Sequence, residues 1–113
     1  MKDLTKPEET VLLAILHLKD EAYGVTIKNQ VKKVTNREYL YSTLYTTLEQ
    51  LVKKGYISKR FGDPSPERGG KRKIFFNLTE DGVLALENAF LKQKSVWAGI
   101  TEETFRNGLL NEG

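Results

Sequence analysis

Between Tyr56 and Leu78 the chain changes character. Two short runs, YISKRF and KRKIFFNL, mix aromatic and β-branched residues with charge, and the segment RFGDPSPERGGKRK links them. Runs of that kind favour strands, while Pro64, Pro66, Gly69 and Gly70 favour turns. The pattern predicts strands over 56–61 and 71–78 around a loop too charged to enter a core. The hairpin must therefore project from whatever body carries it. From Lys53 to Lys73 there are eight basic residues against Asp63 and Glu67, a net of +6. The remainder holds ten basic and thirteen acidic residues, a net of −3. A strong cation on a mildly acidic protein is the electrostatic footprint of a nucleic-acid binder. Charge alone is equally compatible with a hairpin kept soluble by its lysines.

The body must come from the residues on either side. Thr5-Lys6-Pro7-Glu8 has the form of a capping box with proline in the first turn, and VLLAILHL after it is apolar nearly all round. DEAYG interrupts that helix. VTIKNQVKKV then sets Val25, Ile27, Val31 and Val34 on one side of a second helix. Thr35-Asn36-Arg37-Glu38 repeats the capping-box pattern and is expected to open YLYSTLYTTLEQLVKK, where Leu40, Leu44, Leu48, Leu51 and Val52 form an apolar face. Gly55 is a suitable stop. Thr79 is expected to cap a fourth helix running to about Trp97, with Gly99 ending it and Thr101 opening a short fifth.

Helix, helix, helix, strand, basic loop, strand, helix is the order of a winged helix-turn-helix. The expected fold is α+β, mainly α: three helices, a two-stranded β wing and a C-terminal dimerisation helix. Residues 1–79 would form the winged-helix DNA-binding domain and 80–113 a C-terminal helical dimerisation segment, together one compact unit. In such a fold the third helix enters the major groove and the wing lies along the sugar-phosphate backbone. The outer face of the third helix carries Ser42, Thr43, Thr46, Gln50 and Lys53, with Glu49 at its edge. Short hydroxyl side chains allow close approach to base edges. Ser42, Thr43, Thr46 and Lys53 are therefore candidate DNA contacts, Thr43 and Thr46 at base edges. Tyr39 and Tyr45 are candidate phosphate donors from the flanks. Arg68, Lys71, Arg72 and Lys73 are the wing's candidate contacts to the backbone or a minor-groove edge. Ordinary exposed helix surface is the plain alternative for Ser42 and Thr43, and a half-buried ring with a wet hydroxyl the alternative for Tyr45.

Other classes find little support. His17 is the single histidine and lies in an apolar helix, and no carboxylate pair has a second supporting signal, so no catalytic residue and no enzyme is expected. There is no cysteine, no metal-ligating cluster and no phosphate loop, so neither metal nor cofactor is expected. No apolar run reaches about 18 residues, so no membrane partner is expected, and MKDLTKPEET lacks the apolar stretch of a signal peptide. A cytoplasmic location is the simplest reading. Leu84, Leu86, Phe90, Leu91 and Trp97 give the fourth helix more apolar surface than a domain of 113 residues needs on one side, and Phe105, Leu109 and Leu110 add to it. A homodimer with Leu86, Phe90 and Trp97 at its interface is expected, packing on the first helix being the alternative.

These residues resemble the PadR-like family of winged-helix transcriptional regulators over roughly Val11 to Leu91. VLLAILHL followed by Tyr23-Gly24 and Ile27 is similar to the family's opening. Ser42-Thr43-Leu44-Tyr45-Thr46-Thr47-Leu48-Glu49-Gln50-Leu51 looks like its recognition helix, Gly55-Tyr56-Ile57 like its helix stop, and KRKIFFNLTEDG like the end of its wing. Ser42 stands where the family often has glycine, Ile74 where a basic residue is common, and Asp63 and Glu67 dilute the wing. The resemblance implies a homodimeric repressor-like protein, paired through its C-terminal helix, that binds double-stranded DNA at a palindromic operator. Members of the family often respond to small, sometimes aromatic, molecules, and Trp97 near a dimer axis could line such an effector pocket. The rival reading is a winged-helix protein-protein interaction module without DNA binding, against which the +6 segment argues. Another winged-helix regulator type, such as MarR, would need extra helices for which there is little room.

Overall fold

The computed structural model describes residues 3–64 and 69–110. It contains α1 (Lys6–Leu18), α2 (Gly24–Thr35), α3 (Tyr41–Lys53), β1 (Ile57–Pro64), β2 (Arg72–Leu78), α4 (Glu80–Val96) and α5 (Glu102–Leu110), with a 3-10 turn at Lys19–Glu21 where DEAYG breaks the first helix. The capping box at α1 is present in full. The Glu8 N–H donates to Thr5 Oγ1 at 3.3 Å, and the Thr5 N–H donates to Glu8 Oε1 at 2.9 Å. Thr79 caps α4 by accepting from the Gly82 N–H at 3.1 Å.

One buried cluster holds the three N-terminal helices together. Val11, Leu12 and Ile15 of α1 meet Ile27 and Val31 of α2 and Leu44, Leu48 and Leu51 of α3, all at 1% exposure or less. Tyr56, Ile57 and Phe76 extend the cluster under the hairpin, and Ala85 and Leu86 bring in the start of α4. Gly55 ends the α3 turn at φ 77°, a conformation costly for residues with a Cβ, which allows the chain to reverse directly into β1.

The wing is an antiparallel pair with Ile57 opposite Leu78, Lys59 opposite Phe76 and Phe61 opposite Ile74. Beyond Phe61 the register shifts, and Pro64 pairs with Arg72, so β1 runs three residues further than its sequence pattern suggested. A contact with no sequence signature fastens this hairpin to the body. Tyr23 bridges Phe75, the Phe76 N–H donates to the Ala22 carbonyl at 2.8 Å, and the Tyr23 and Phe75 rings meet edge to face at 5.4 Å.

The entry to α3 corrects the sequence reading. No second capping box forms. Thr35 stays in the last turn of α2, its hydroxyl donating to the Val31 carbonyl at 2.7 Å, and Asn36 adopts a left-handed conformation at φ 57°. Glu38 turns its carboxylate to Lys28 and Lys32 at 3.2 and 3.6 Å instead of reaching back to cap. Helix α3 therefore starts at Tyr41, and Leu40, expected in the core, is 71% exposed ahead of it. Val25 and Val34 likewise lie outside the core.

The tail departs from the body. The chain spans 64 × 29 × 21 Å, with a radius of gyration of 17.6 Å where a compact domain of this length has about 13 Å. After Leu86 the described tail has no buried residue. Among the described residues, no helix is long and apolar enough to cross a membrane.

Candidate nucleic-acid interface

The outer face of α3 is built as its periodicity requires. With Leu44, Thr47, Leu48 and Leu51 turned inward, Ser42, Thr43, Thr46 and Gln50 are exposed. They border a shallow groove of about 350 Å³ together with Thr5 and Pro7 from α1. The Thr46 hydroxyl donates to the Ser42 carbonyl at 2.8 Å. Its proton is thus committed, leaving oxygen lone pairs and a methyl group outward: an acceptor for a base amino group and an apolar contact for a thymine methyl. The Ser42 and Thr43 hydroxyls make no hydrogen bond to another described residue and can donate or accept. No side chain caps α3, and its first turn holds no acid. An uncapped helix N-terminus with free N–H groups is complementary to phosphate.

Tyr45 links this face to the wing. Its ring is 45% exposed and stacks on Tyr41 with centroids 6.2 Å apart. Its hydroxyl lies over Gly24, where an added Cβ would overlap it, so the first residue of α2 must be small for the tyrosine to lie flat. Tyr45, Tyr23, Gly24 and Val25 line one groove with Arg72, Lys73 and Ile74 of β2. The groove joins α3, the start of α2 and the root of the wing, with two cations and no acid at its walls. Lys73 Nζ also lies 4.4 Å from the Tyr23 ring centroid, which holds its charge at the mouth.

The cations of the +6 segment divide into two groups. Lys54, Lys59 and Arg60 are engaged within the chain. Lys54 pairs with Glu8 at 2.6 Å and Lys59 with Glu49 at 2.7 Å. Arg60 donates to the Asp20 carbonyl at 2.9 Å and lies over the Phe75 ring. Lys53, Lys71 and Arg72 are exposed and form no ion pair with another described residue. Lys53 sits seven positions after Thr46 and so on the same helix face. The expected contact at Arg68 lies outside the described residues.

Two placements bear on the sequence-derived list. Tyr39 is half-buried and packs against the core just ahead of α3, so its ring serves the fold whatever its hydroxyl contacts. Leu86 is 8% exposed and contributes to the chain's own core, while Phe90 and Trp97 are 61% and 52% exposed. One residue was missed. Tyr41, in the first turn of α3, is 45% exposed and holds Lys28 Nζ 5.2 Å from its ring centroid. Its four-residue spacing from Tyr45 was the available signal. Near the tail, Trp97 meets Phe105 at 6.1 Å and lines a cavity of about 340 Å³ between α1 and α4, with Leu4, Ala85, Ala89 and Val96, and Asp3 and Lys92 bonded at 2.9 Å at its edge.

The winged-helix fold by itself is shared by regulators and by protein-protein modules, and the comparisons separate them. The model of the transcriptional regulator PadR-like family matches residues 12–88, and the chain belongs to that family. No curated protein matches. Among solved structures, a PadR family transcription regulator from Clostridium difficile is 28% identical, covers 92% of this chain and 98% of its own, and superposes with a TM-score of 0.58. RosR from H. salinarum is 21% identical, with coverages of 96% and 91% and a TM-score of 0.69. BpsR from Bordetella bronchiseptica, described with a mechanism for regulation of its DNA binding by 6-hydroxynicotinic acid, is 20% identical, with coverages of 96% and 75% and a TM-score of 0.64. The last two are likenesses of fold.

Proposed function

We propose that this PadR-like regulator binds double-stranded DNA as a homodimer, with α3 reading bases in the major groove and the wing holding the backbone. The observation that carries the reading is the acid-free groove where Tyr45 meets Arg72 and Lys73, with Ser42, Thr43 and Thr46 of the same helix bordering a second groove. On this reading the cationic groove holds phosphate and the hydroxyl face reads bases. Phe90 and Trp97, with Leu91, Val96, Ile100, Phe105 and Leu109, supply an exposed apolar surface for the second copy, so residues 80–113 act as the dimerisation segment. Two-fold pairing of reading heads matches a palindromic operator. The protein acts as a repressor, released when a small aromatic molecule occupies the cavity beside Trp97. The regulation of BpsR by a small aromatic acid supports that last step by analogy.

The test is selection of duplexes from a random pool, followed by sedimentation of the complex with the selected duplex. Two protomers per duplex and discrimination against random sequence are expected. A monomer that binds no duplex at low salt would overturn the reading in favour of a protein-protein interaction module.

A further inference from the structure

Leu44, Leu48 and Leu51 bury one face of α3 and so set which face turns outward, and two ion pairs add direction toward its C-terminal half, Glu49 with Lys59 of β1 and Lys54 with Glu8 of α1. The pair to α1 is the more buried of the two. Glu8, in the first turn of α1, is 1% exposed, and both of its carboxylate oxygens are used: Oε1 accepts from the Thr5 N–H at 2.9 Å and Oε2 from Lys54 Nζ at 2.6 Å. Lys54 is the C-cap residue of α3. The same turn of α1 supplies Thr5 and Pro7 to the groove that displays Ser42, Thr43 and Thr46. The turn therefore grips α3 at its C-terminal end and borders its reading face.

We infer that Glu8 is a positioning residue for DNA recognition, setting through Lys54 the angle at which α3 presents Thr43 and Thr46. The inference rests on the proposed DNA-reading role of α3. A buried ion pair contributes little net stability compared with apolar packing, and fixing one arrangement among several is its better-attested use. Loss of the pair acts on discrimination between sequences more than on affinity for DNA in general, because the wing's cations do not depend on it.

The experiment uses Glu8→Gln, which keeps an oxygen acceptor for the Thr5 N–H but removes the charge, and Lys54→Met, which leaves the α1 cap intact. Lys54→Arg is the conservative rescue. Affinities are measured for the selected duplex and a random duplex, at a temperature where melting shows every variant folded. Glu8→Gln and Lys54→Met should each lower the ratio of the two affinities about tenfold, the scale of one weakened base contact, with random binding unchanged and Lys54→Arg near the parent ratio. An unchanged ratio in both would overturn the inference while leaving the DNA reading intact. Hydrogen exchange in the DNA-free protein separates the two further. The amides of the last turn of α3, which are hydrogen-bonded within the helix, should exchange faster in Glu8→Gln while those of α2 do not, and equal rates throughout would also overturn it. A parent protein with no preference between the duplexes would instead remove the DNA reading itself, and the exchange measurement would then decide whether Glu8 positions α3.

Discussion

The winged-helix body and the C-terminal helices obey different rules for their apolar residues. In α1 the residues Val11, Leu12, Ala14 and Ile15 are buried, and the buried positions of α2 and α3 meet them across a closed core. In α4 only Gly82, Ala85 and Leu86 are buried, all in the first two turns. Beyond them Phe90, Leu91, Val96, Trp97, Ile100, Phe105 and Leu109 are between 41% and 74% exposed. The body closes a core of its own, though Leu13 and Leu16 of α1 stay 45% and 48% exposed, whereas the described tail beyond Leu86 has apolar residues and no buried position. Large contiguous apolar exposure of that kind marks an interface. In the proposed function the first region recognises DNA and the second pairs two copies.

The comparison can be broken first at the core. Leu48→Ala should destabilise the body by about 2–5 kcal/mol, because a fully buried leucine leaves a cavity that tight packing cannot collapse. Thermal or denaturant unfolding checks this, and a loss under about 1 kcal/mol would mean the body is not the closed unit described. Phe90→Ala and Trp97→Ala should do the opposite: leave the protomer's fold intact and weaken the dimer by about 2 kcal/mol each, the scale of an interface anchor. Sedimentation equilibrium across a concentration series reads this directly. A parent protein that sediments only at 12.9 kDa would dissolve the distinction between the two regions.

Within the body, the two DNA surfaces should fail differently. Thr43→Ala and Thr46→Ala are expected to cost about 1–3 kcal/mol on a selected duplex and little on random DNA. Equal losses on both would show that α3 is not the reader. Acid provides a gentler probe. Burial pushes the Glu8 carboxyl up, but the Lys54 ammonium and the hydrogen bonds from Lys54 and Thr5 outweigh it and hold the group below its ordinary 4.5. A depressed carboxyl stabilises the fold above its unfolded value, and that contribution disappears as pH falls through the lowered folded value. Melting temperature should therefore fall on acidification below about pH 4.5 in the parent, and less steeply in Glu8→Gln.

Much of this organisation was legible in the sequence because it rests on local signals. The α1 capping box, the leucine spacing of α3, the glycine after it and Gly69 and Gly70 of the wing all act within a few residues, whereas Pro64, expected in the loop, ends up paired in β1. The hidden parts depend on long-range partners. Thr35 and Glu38 matched a capping box, but the backbone at Asn36 and the lysines of α2 claimed them first. The half-burial of Tyr39 against the core had no local signal. The charge of the +6 segment was plain, yet its division into internal braces and outward cations depended on Glu49 in the preceding helix and on Glu8 and the Asp20 carbonyl far away in the chain. The bridge from Tyr23 to Phe75 had no local pattern.

The central claim is that the outward cations at the root of the wing meet DNA phosphates, and the salt dependence of duplex binding tests it most directly. For the parent dimer, log affinity should fall steeply and linearly with log salt, by about 0.9 for each phosphate neutralised. Arg72→Ala should reduce that slope by about two, one contact from each protomer, on selected and random duplexes alike. A flat salt response in the parent, or an Arg72→Ala slope equal to the parent's, would contradict the account.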